Sequence, residues 1–226
     1  GVICFFILFA VFGAALSLVN GSTDIPFEEI MKILAAPGTD PHSMIIWNIR
    51  LPRTIVAALV GINLALSGAI LQAILRNPLA DPHLIGISSG AGVAGVVIMI
   101  LYPALEYLIT PVSFIGAMVA AICIYILAWK NGIKPVRIIL AGVAVSAFLS
   151  AGISGLMIFY SDRVHGALMW MVGGLAARSW PHVSIILPYA IIGVVLAMAS
   201  AAYLNILQLG DEMARGLGVN VEVTRI

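Results

Sequence analysis

The sequence predicts an all-α fold, a polytopic membrane helix bundle with about six transmembrane helices in a single domain, residues 1–226. Three observations predict it. Of the 226 residues, 62% are apolar and 9% charged, against about 45–50% and about 25% in soluble domains. Mean hydropathy is +1.13, so lipid is the natural solvent for this surface. Long apolar runs recur between short polar turns, and no β alternation of any length appears. Open sheets cannot exist in lipid, which leaves helices. The same composition excludes a soluble enzyme and a disordered chain. With 11 basic and 10 acidic residues, no global field favours nucleic acid. Cys4 and Cys123 both lie inside apolar runs, where they read as buried small side chains, not a disulfide or a metal site.

The first run, Gly1–Val19, reads as a crossing helix. A cleaved signal peptide is the alternative, disfavoured because no small-residue cleavage site and soluble domain follow. The chain opens inside an apolar run and stops at Ile226 just after a polar segment begins, which is expected of a portion of a longer protein. Asn20-Gly21-Ser22 makes a turn. Pro26–Leu34 carries Phe27, Ile30, Met31 and Leu34 at helical spacing, with Thr23 or Asp24 as cap and Glu28 and Glu29 in the first turn. It reads as a short amphipathic helix on the membrane surface. The second span runs about Thr54–Leu75, between Arg50-Leu51-Pro52-Arg53 and Arg76-Asn77-Pro78. Pro78 and Pro82 break the chain there. The third runs about Ile85–Tyr102 and the fourth about Pro111–Trp129, closed by Lys130-Asn131-Gly132. The fifth is about Arg137–Tyr160, a short helix follows at Arg163–Val172, and the sixth is about Val183–Asn205. Loop charge does not orient the bundle. With the N-terminus inside, Arg76, Lys130, Lys134, Arg137, Arg215 and Arg225 fall inside, against Lys32, Arg50, Arg53, Arg163 and Arg178 outside.

Spans two to six hold almost no charged side chains; Glu106 falls just past the third. An ion-driven carrier needs embedded carboxylates, His or Lys to hold its coupling charge, so energy coupling is expected elsewhere. Small and weakly polar residues are abundant instead, as in Ala141–Ala147 and Ser150–Gly155 of span five. Such faces suit close helix packing and equally a smooth pathway wall. Gly86–Gly92 opens span three after Pro82, with no following Lys, and no Walker A motif occurs in the chain. His42, His83, His165 and His182 sit in separate loops and read as surface residues. Beyond the last span, Gly210–Gly218 reads as a short helix with acidic residues first and glycines last. Leu209, Met213 and Leu217 form one apolar stripe, and Asn220 caps a second start with Glu222 in its first turn. The stripe suits lipid or a docked partner.

Several segments, in order, carry a resemblance: Arg50–Arg53, Leu66–Gln72, Asn77–Pro82, Leu84–Ala91, Leu140–Val143, Met169–Gly174 and Ala214–Gly218. The chain resembles the permease subunit of type II ABC importers, which take up iron-siderophore chelates, haem or vitamin B12. The resemblance implies about ten spans in the whole protein, of which about six are present here. It implies a bacterial or archaeal cell membrane, a second permease copy or paralogue, two cytoplasmic ATPase subunits and an extracytoplasmic solute-binding protein. The chain itself would be no enzyme and bind no cofactor, ATP and magnesium residing on the ATPase. Arg50 and Arg53 match arginines that pair with carboxylates of the binding protein, a pairing the guanidinium fork suits. Asn77, Leu79, Pro135 and Val136 match the loops closing the cytoplasmic end. Gly142, Ser146, Ser150, Ile153 and Ser154 match the pathway-lining helix. Leu209, Asp211, Glu212, Met213, Arg215, Leu217 and Asn220 match the segment that seats in the ATPase. A secondary carrier driven by ions or protons, and a non-transporting membrane scaffold, are the rival readings.

Overall fold

The structure is a computed structural model. It describes every residue except Pro37, Asn131, Ile133, Arg225 and Ile226, and the side chains of His83, Leu84 and Glu222 lie outside the description. Among the described residues there are helices and no strands. Helix α1 is Val2–Val19, α2 is Phe27–Ala35 and α3 is Pro41–Ile45. A π turn, Ile46–Arg50, leads from α3 into α4, Leu51–Leu75. Then come α5 (Ile87–Leu101), α6 (Ile109–Ala128), α7 (Pro135–Phe159), α8 (Val164–Val172) and α9 (Trp180–Gln208). Two short helices, α10 (Asp211–Gly216) and α11 (Val221–Thr224), close the chain.

Among the described residues five helical stretches are long and apolar enough to cross a membrane: Val2–Val19, Pro41–Leu75, Pro103–Ala128, Pro135–Phe159 and Trp180–Gln208. The expected third span is the exception. Helix α5 has 15 residues, about 22 Å at about 1.5 Å per residue, short of a hydrocarbon core about 30 Å thick. Gly86 sets its start, with φ of +85° that only glycine adopts freely. Pro103 opens the 3-10 turn that follows it. Tight 3-10 turns at Pro82–Ile85 and Pro103–Leu108 lengthen the element at both ends.

Packing divides the chain into two compact units, Gly1–Asn63 with Leu175–Val194, and Leu64–Gly174 with Val195–Ile226. In the first, Ile25, Ile30, Ile33 and Ile46 form a core with Leu18, Val19, Leu34, Ile45 and Trp47 around it. Helix α2 therefore buries Ile30 and Ile33, while Phe27 and Met31, expected on the same face, are exposed. Nor do Thr23 and Asp24 cap it: its N-cap is Pro26, with no side-chain hydrogen bond. The capping oxygen goes to α3 instead, where Asp40 Oδ2 accepts from the Ser43 amide at 2.9 Å. Trp47 donates to the Ile33 carbonyl at 3.1 Å and Trp180 to the Trp47 carbonyl at 2.8 Å. The two indoles stack with centroids 6.4 Å apart.

In the second unit α5 packs against α6, α7 and α8. A Cβ at Gly90 would stand 2.5 Å from the Gly116 carbonyl oxygen, and the converse holds, so α5 and α6 meet backbone to backbone. Gly142 of α7 meets the 3-10 turn in the same way, 2.5 Å from the Ile85 oxygen. Val96, Ile100, Ile153 and Ala167 fill the centre with Trp170 against them. The cysteines are not core residues: Cys4 and Cys123 are both free and exposed, because the outer faces of α1 and α6 are apolar too.

Gly142→Ala is expected to destabilise the detergent-solubilised protein by about 1–3 kcal/mol, since the methyl meets rigid backbone. Gly152→Ala, with nothing within 4 Å of its Cβ, is expected to be neutral or stabilising by up to about 1 kcal/mol. Thermal unfolding of the two variants checks the contrast.

Candidate functional site: docking arginines, gate loops and the terminal helices

Arg50 ends the π turn at the head of α4 and is only 6% exposed. Its Nη1 donates to the carbonyls of Leu18 and Val19 at 2.6 and 2.7 Å, and its Nη2 to the carbonyl of Thr23. These are carbonyls that α1 leaves unpaired at and beyond its C-terminal end, where a cation is favourable. Gly21 supplies the room, since a Cβ there would stand 2.5 Å from Nη2. The expected docking role of Arg50 thus meets a guanidinium already engaged by its own chain. Arg53, one turn on, is exposed. Sequence reasoning gave both arginines one role because the motif carries identical chemistry at both positions.

The turn after α4 is held by Asn77. Its Oδ1 accepts from the Leu79 amide at 2.9 Å, and its carbonyl from the Ala80 amide at 3.1 Å. Leu79 is left 81% exposed. Pro135 starts α7 at a position that needs no amide hydrogen, and Val136 beside it is exposed. Arg137 Nη1 ties the preceding turn by donating to the Lys130 carbonyl at 2.5 Å. Both loops rest on one apolar cluster, Leu75, Ala80, Ile85 and Ile124, against which Ile138 and Ile139 pack.

The five expected pathway residues split between two faces of α7. Gly142 faces the Ile85 backbone, Ile153 lies in the central core, and the Ser146 hydroxyl is buried with no partner, close to Gly86. These three pack inside the unit. Ser150 and Ser154 are exposed, and the Ser154 hydroxyl donates to the Ser150 carbonyl at 3.0 Å.

At the C-terminal end, Asp211 and Glu212 occupy the first turn of α10 and Arg215 its last. Leu209, Met213 and Leu217 are 59%, 61% and 61% exposed. Ala214, next to Met213 but turned inward, is buried with Leu207, Val219 and Val221. Asn220 caps α11, its Oδ1 accepting from the Val223 amide at 3.2 Å. A feature that sequence reasoning missed lies here. Arg76 Nη2 and Asp211 Oδ1 are 3.1 Å apart, a pairing that sequence distance hides. Three of the histidines expected in loops fall in helices instead, His42 in α3, His165 in α8 and His182 in α9, because each lies in the first turn of its helix. His42 is within 2.7 Å of Glu29 Oε1 and His182 accepts from the Ser179 amide. His165 is exposed, and the side chain of His83 lies outside the description.

Long apolar helices with polar turns and a free apolar stripe beyond the last of them define a multi-pass membrane protein. The chain belongs to the FecCD transport family, whose model matches residues 7–226. It is 36% identical over 216 residues to the Fe(3+)-citrate import system permease protein YfmD of Bacillus subtilis, covering 96% of this chain and 65% of that protein. It is 37% identical to the cobalamin import system permease protein BtuC of Halobacterium salinarum, covering 93% of this chain and 58% of that one. The chain thus spans less than two thirds of the length of these relatives. A solved structure described as an inward-facing conformation of a metal-chelate type ABC transporter superposes with a TM-score of 0.81 at 26% identity. That match covers 99% of this chain and 70% of the other. The resemblance drawn from the motifs is to this same family.

Arg50→Ala is expected to cost about 2–4 kcal/mol, because three carbonyls lose a charged donor. Arg53→Ala is expected to stay within about 0.5 kcal/mol. Thermal stability in detergent separates them.

Proposed function

We propose that the chain is permease structure of an ATP-driven ABC importer, carrying a ferric chelate, haem or cobalamin from a solute-binding protein into the cytoplasm of a bacterium or archaeon. The observation that carries this reading is the continuous family match over residues 7–226. Relatives named for ferric citrate and cobalamin import supply the cargo classes. The permease works as a pair, with a second copy or a paralogue, on two ATPase subunits that bind ATP and magnesium.

Each step follows from a surface already described. The loaded binding protein docks through carboxylates on exposed Arg53, while Arg50 fixes the end of α1 beside it. Two-pronged carboxylate pairing on a partner surface orients the encounter and speeds it. Leu209, Met213 and Leu217 seat in an apolar groove of the ATPase, as an amphipathic helix seats in a partner. Glu212 and Arg215 rim that stripe. ATP-driven closure moves α10 and α11, and the turns bearing Leu79 and Val136 open or close the inner end. The exposed face of α7 with Ser150 and Ser154 lines the route. Both are weak hydrogen-bonding groups, and the Ser154 hydroxyl is already bonded to the Ser150 carbonyl, so cargo passes without being held.

Arg53→Glu is expected to weaken binding-protein association about tenfold or more, read by biolayer interferometry on the assembled importer. Met213→Asp is expected to strip the ATPase from the purified complex by placing a charge in a desolvated groove. Chelate uptake into proteoliposomes should require ATP and survive an uncoupler. Uptake that collapses with the uncoupler and survives ATP depletion would replace this reading with a secondary carrier. No uptake at all with an active ATPase would leave a scaffold.

A further inference from the structure

The end of α4 and the start of α10 are joined twice. Below, Ile74 packs against the cluster of Leu207, Ala214, Val219 and Val221, and Leu207 and Ala214 are fully buried. Above, Arg76 and Asp211 form an ion pair at 3.1 Å, each side chain about one-third exposed. A Cβ at Gly210 would stand 3.5 Å from Arg76 Nη1, so the guanidinium lies over the backbone that enters α10. Asp211 is the first residue of α10, and its carboxylate also meets the positive end of the helix.

Arg76, the residue after α4, is not an ordinary surface residue. Its backbone is left-handed, with φ of +49°, a conformation that costs a non-glycine residue energy and persists only when its surroundings enforce it. Its amide bonds to the Ala73 carbonyl, and the Asn77 amide to the Gln72 carbonyl. The next residue, Asn77, holds Leu79 through its side chain. One residue therefore connects the first turn of α10 to the turn that exposes Leu79.

We infer that the Arg76–Asp211 pair is a positioning link that carries displacement of α10 into the Asn77–Ala80 turn. The inference rests on α10 being the segment seated in the ATPase. An exposed pair of this kind adds little to stability. Its consequence is directional. When α10 moves, the apolar contact through Ile74 can slide, but a charged pair fixes the direction in which Arg76 follows. Arg76 cannot rotate without altering the Asn77 cap on Leu79. Asp211, assigned from the sequence to the ATPase interface, acts instead within its own chain, and the free stripe of Leu209, Met213 and Leu217 meets the partner.

The test uses the full-length permease with its ATPase in proteoliposomes, supplied with radiolabelled ferric citrate, a ferric hydroxamate or cobalamin and the matching binding protein. A parallel set carries Leu79→Cys as a maleimide reporter, with the exposed Cys4 and Cys123 changed to serine. In the reporter protein Mg-ATP is expected to change the labelling rate about threefold or more. Arg76→Ala or Asp211→Ala is expected to abolish that response and to lower cargo moved per ATP by a similar factor. The swap, Arg76→Asp with Asp211→Arg, is expected to restore both readings, and Arg76→Lys to keep most of them. Single variants that match the parent overturn the proposal, as does a swap that only repeats their loss. A parent that hydrolyses ATP yet moves none of the three cargoes removes the importer reading, while the labelling response still decides the link.

Discussion

A backbone carbonyl without a partner in hydrocarbon costs several kcal/mol, and that constraint governs where each helix of this chain can end. Within a helix the ladder satisfies every group; at the C-terminal end the last four carbonyls have no partner in the ladder. Three arginines sit at such ends. Arg50 bonds Leu18, Val19 and Thr23 after α1. Arg163 donates to the Ile100 carbonyl at the end of α5, at 3.0 Å. Arg137 holds the Lys130 carbonyl just past α6. Arginine suits this work because its charge is permanent and its donors form a rigid fork. Much of the scarce positive charge is thus part of the fold before it is available to any partner.

The same constraint explains how polar side chains are handled inside the helices. Asn63, Ser154 and Ser200 each donate to a carbonyl of their own helix, four residues back, and Thr54 donates to the Arg50 carbonyl of the π turn before α4. Apart from the Ser17–Thr54 hydroxyl pair between α1 and α4, this polarity is absorbed locally, and packing is left largely to shape. Shape is supplied by glycine. Where Gly90 meets Gly116 and Gly142 meets Ile85, backbones touch, and α5 can remain short because its neighbours enclose it. A longer α5 would need a side chain tolerant of Gly86's backbone and an amide at Pro103 that proline lacks.

The sequence made the spans legible because hydropathy integrates over many residues. The turn at Asn77-Pro78, the cap at Asn220 and the short helix from Val164 were legible from local chemistry. The failures have a common cause. Which of two like residues faces inward depends on rotation about a helix axis, and local pattern leaves that open where apolar residues surround the helix. Phe27 and Met31 against Ile30 and Ile33 is one case; Gly142, Ser146 and Ile153 against Ser150 and Ser154 is another. Arg50 and Arg53 differ in the same way, one turned toward α1 and the other outward. The Arg76–Asp211 contact was beyond reach for a different reason, since only tertiary structure brings those helix ends together.

In the proposed docking of a binding protein, this difference between neighbouring arginines bears on specificity. A docking surface made only of free arginines would bind any acidic partner, with side chains that must lose rotamer freedom on binding. Arg50, locked by three carbonyls, has already lost it and fixes the backbone from which Arg53 projects. In the proposed docking, a partner carboxylate would meet the exposed Arg53 guanidinium on a base already fixed by Arg50, and orientation would come from that base. The C-terminal end is built alike. Ala214 and its apolar cluster hold α10 in place and Arg76 pairs with its first residue, while the stripe of Leu209, Met213 and Leu217 stays exposed. At both proposed surfaces the charged groups bonded within the chain set the geometry, and the side chains beside them are left exposed.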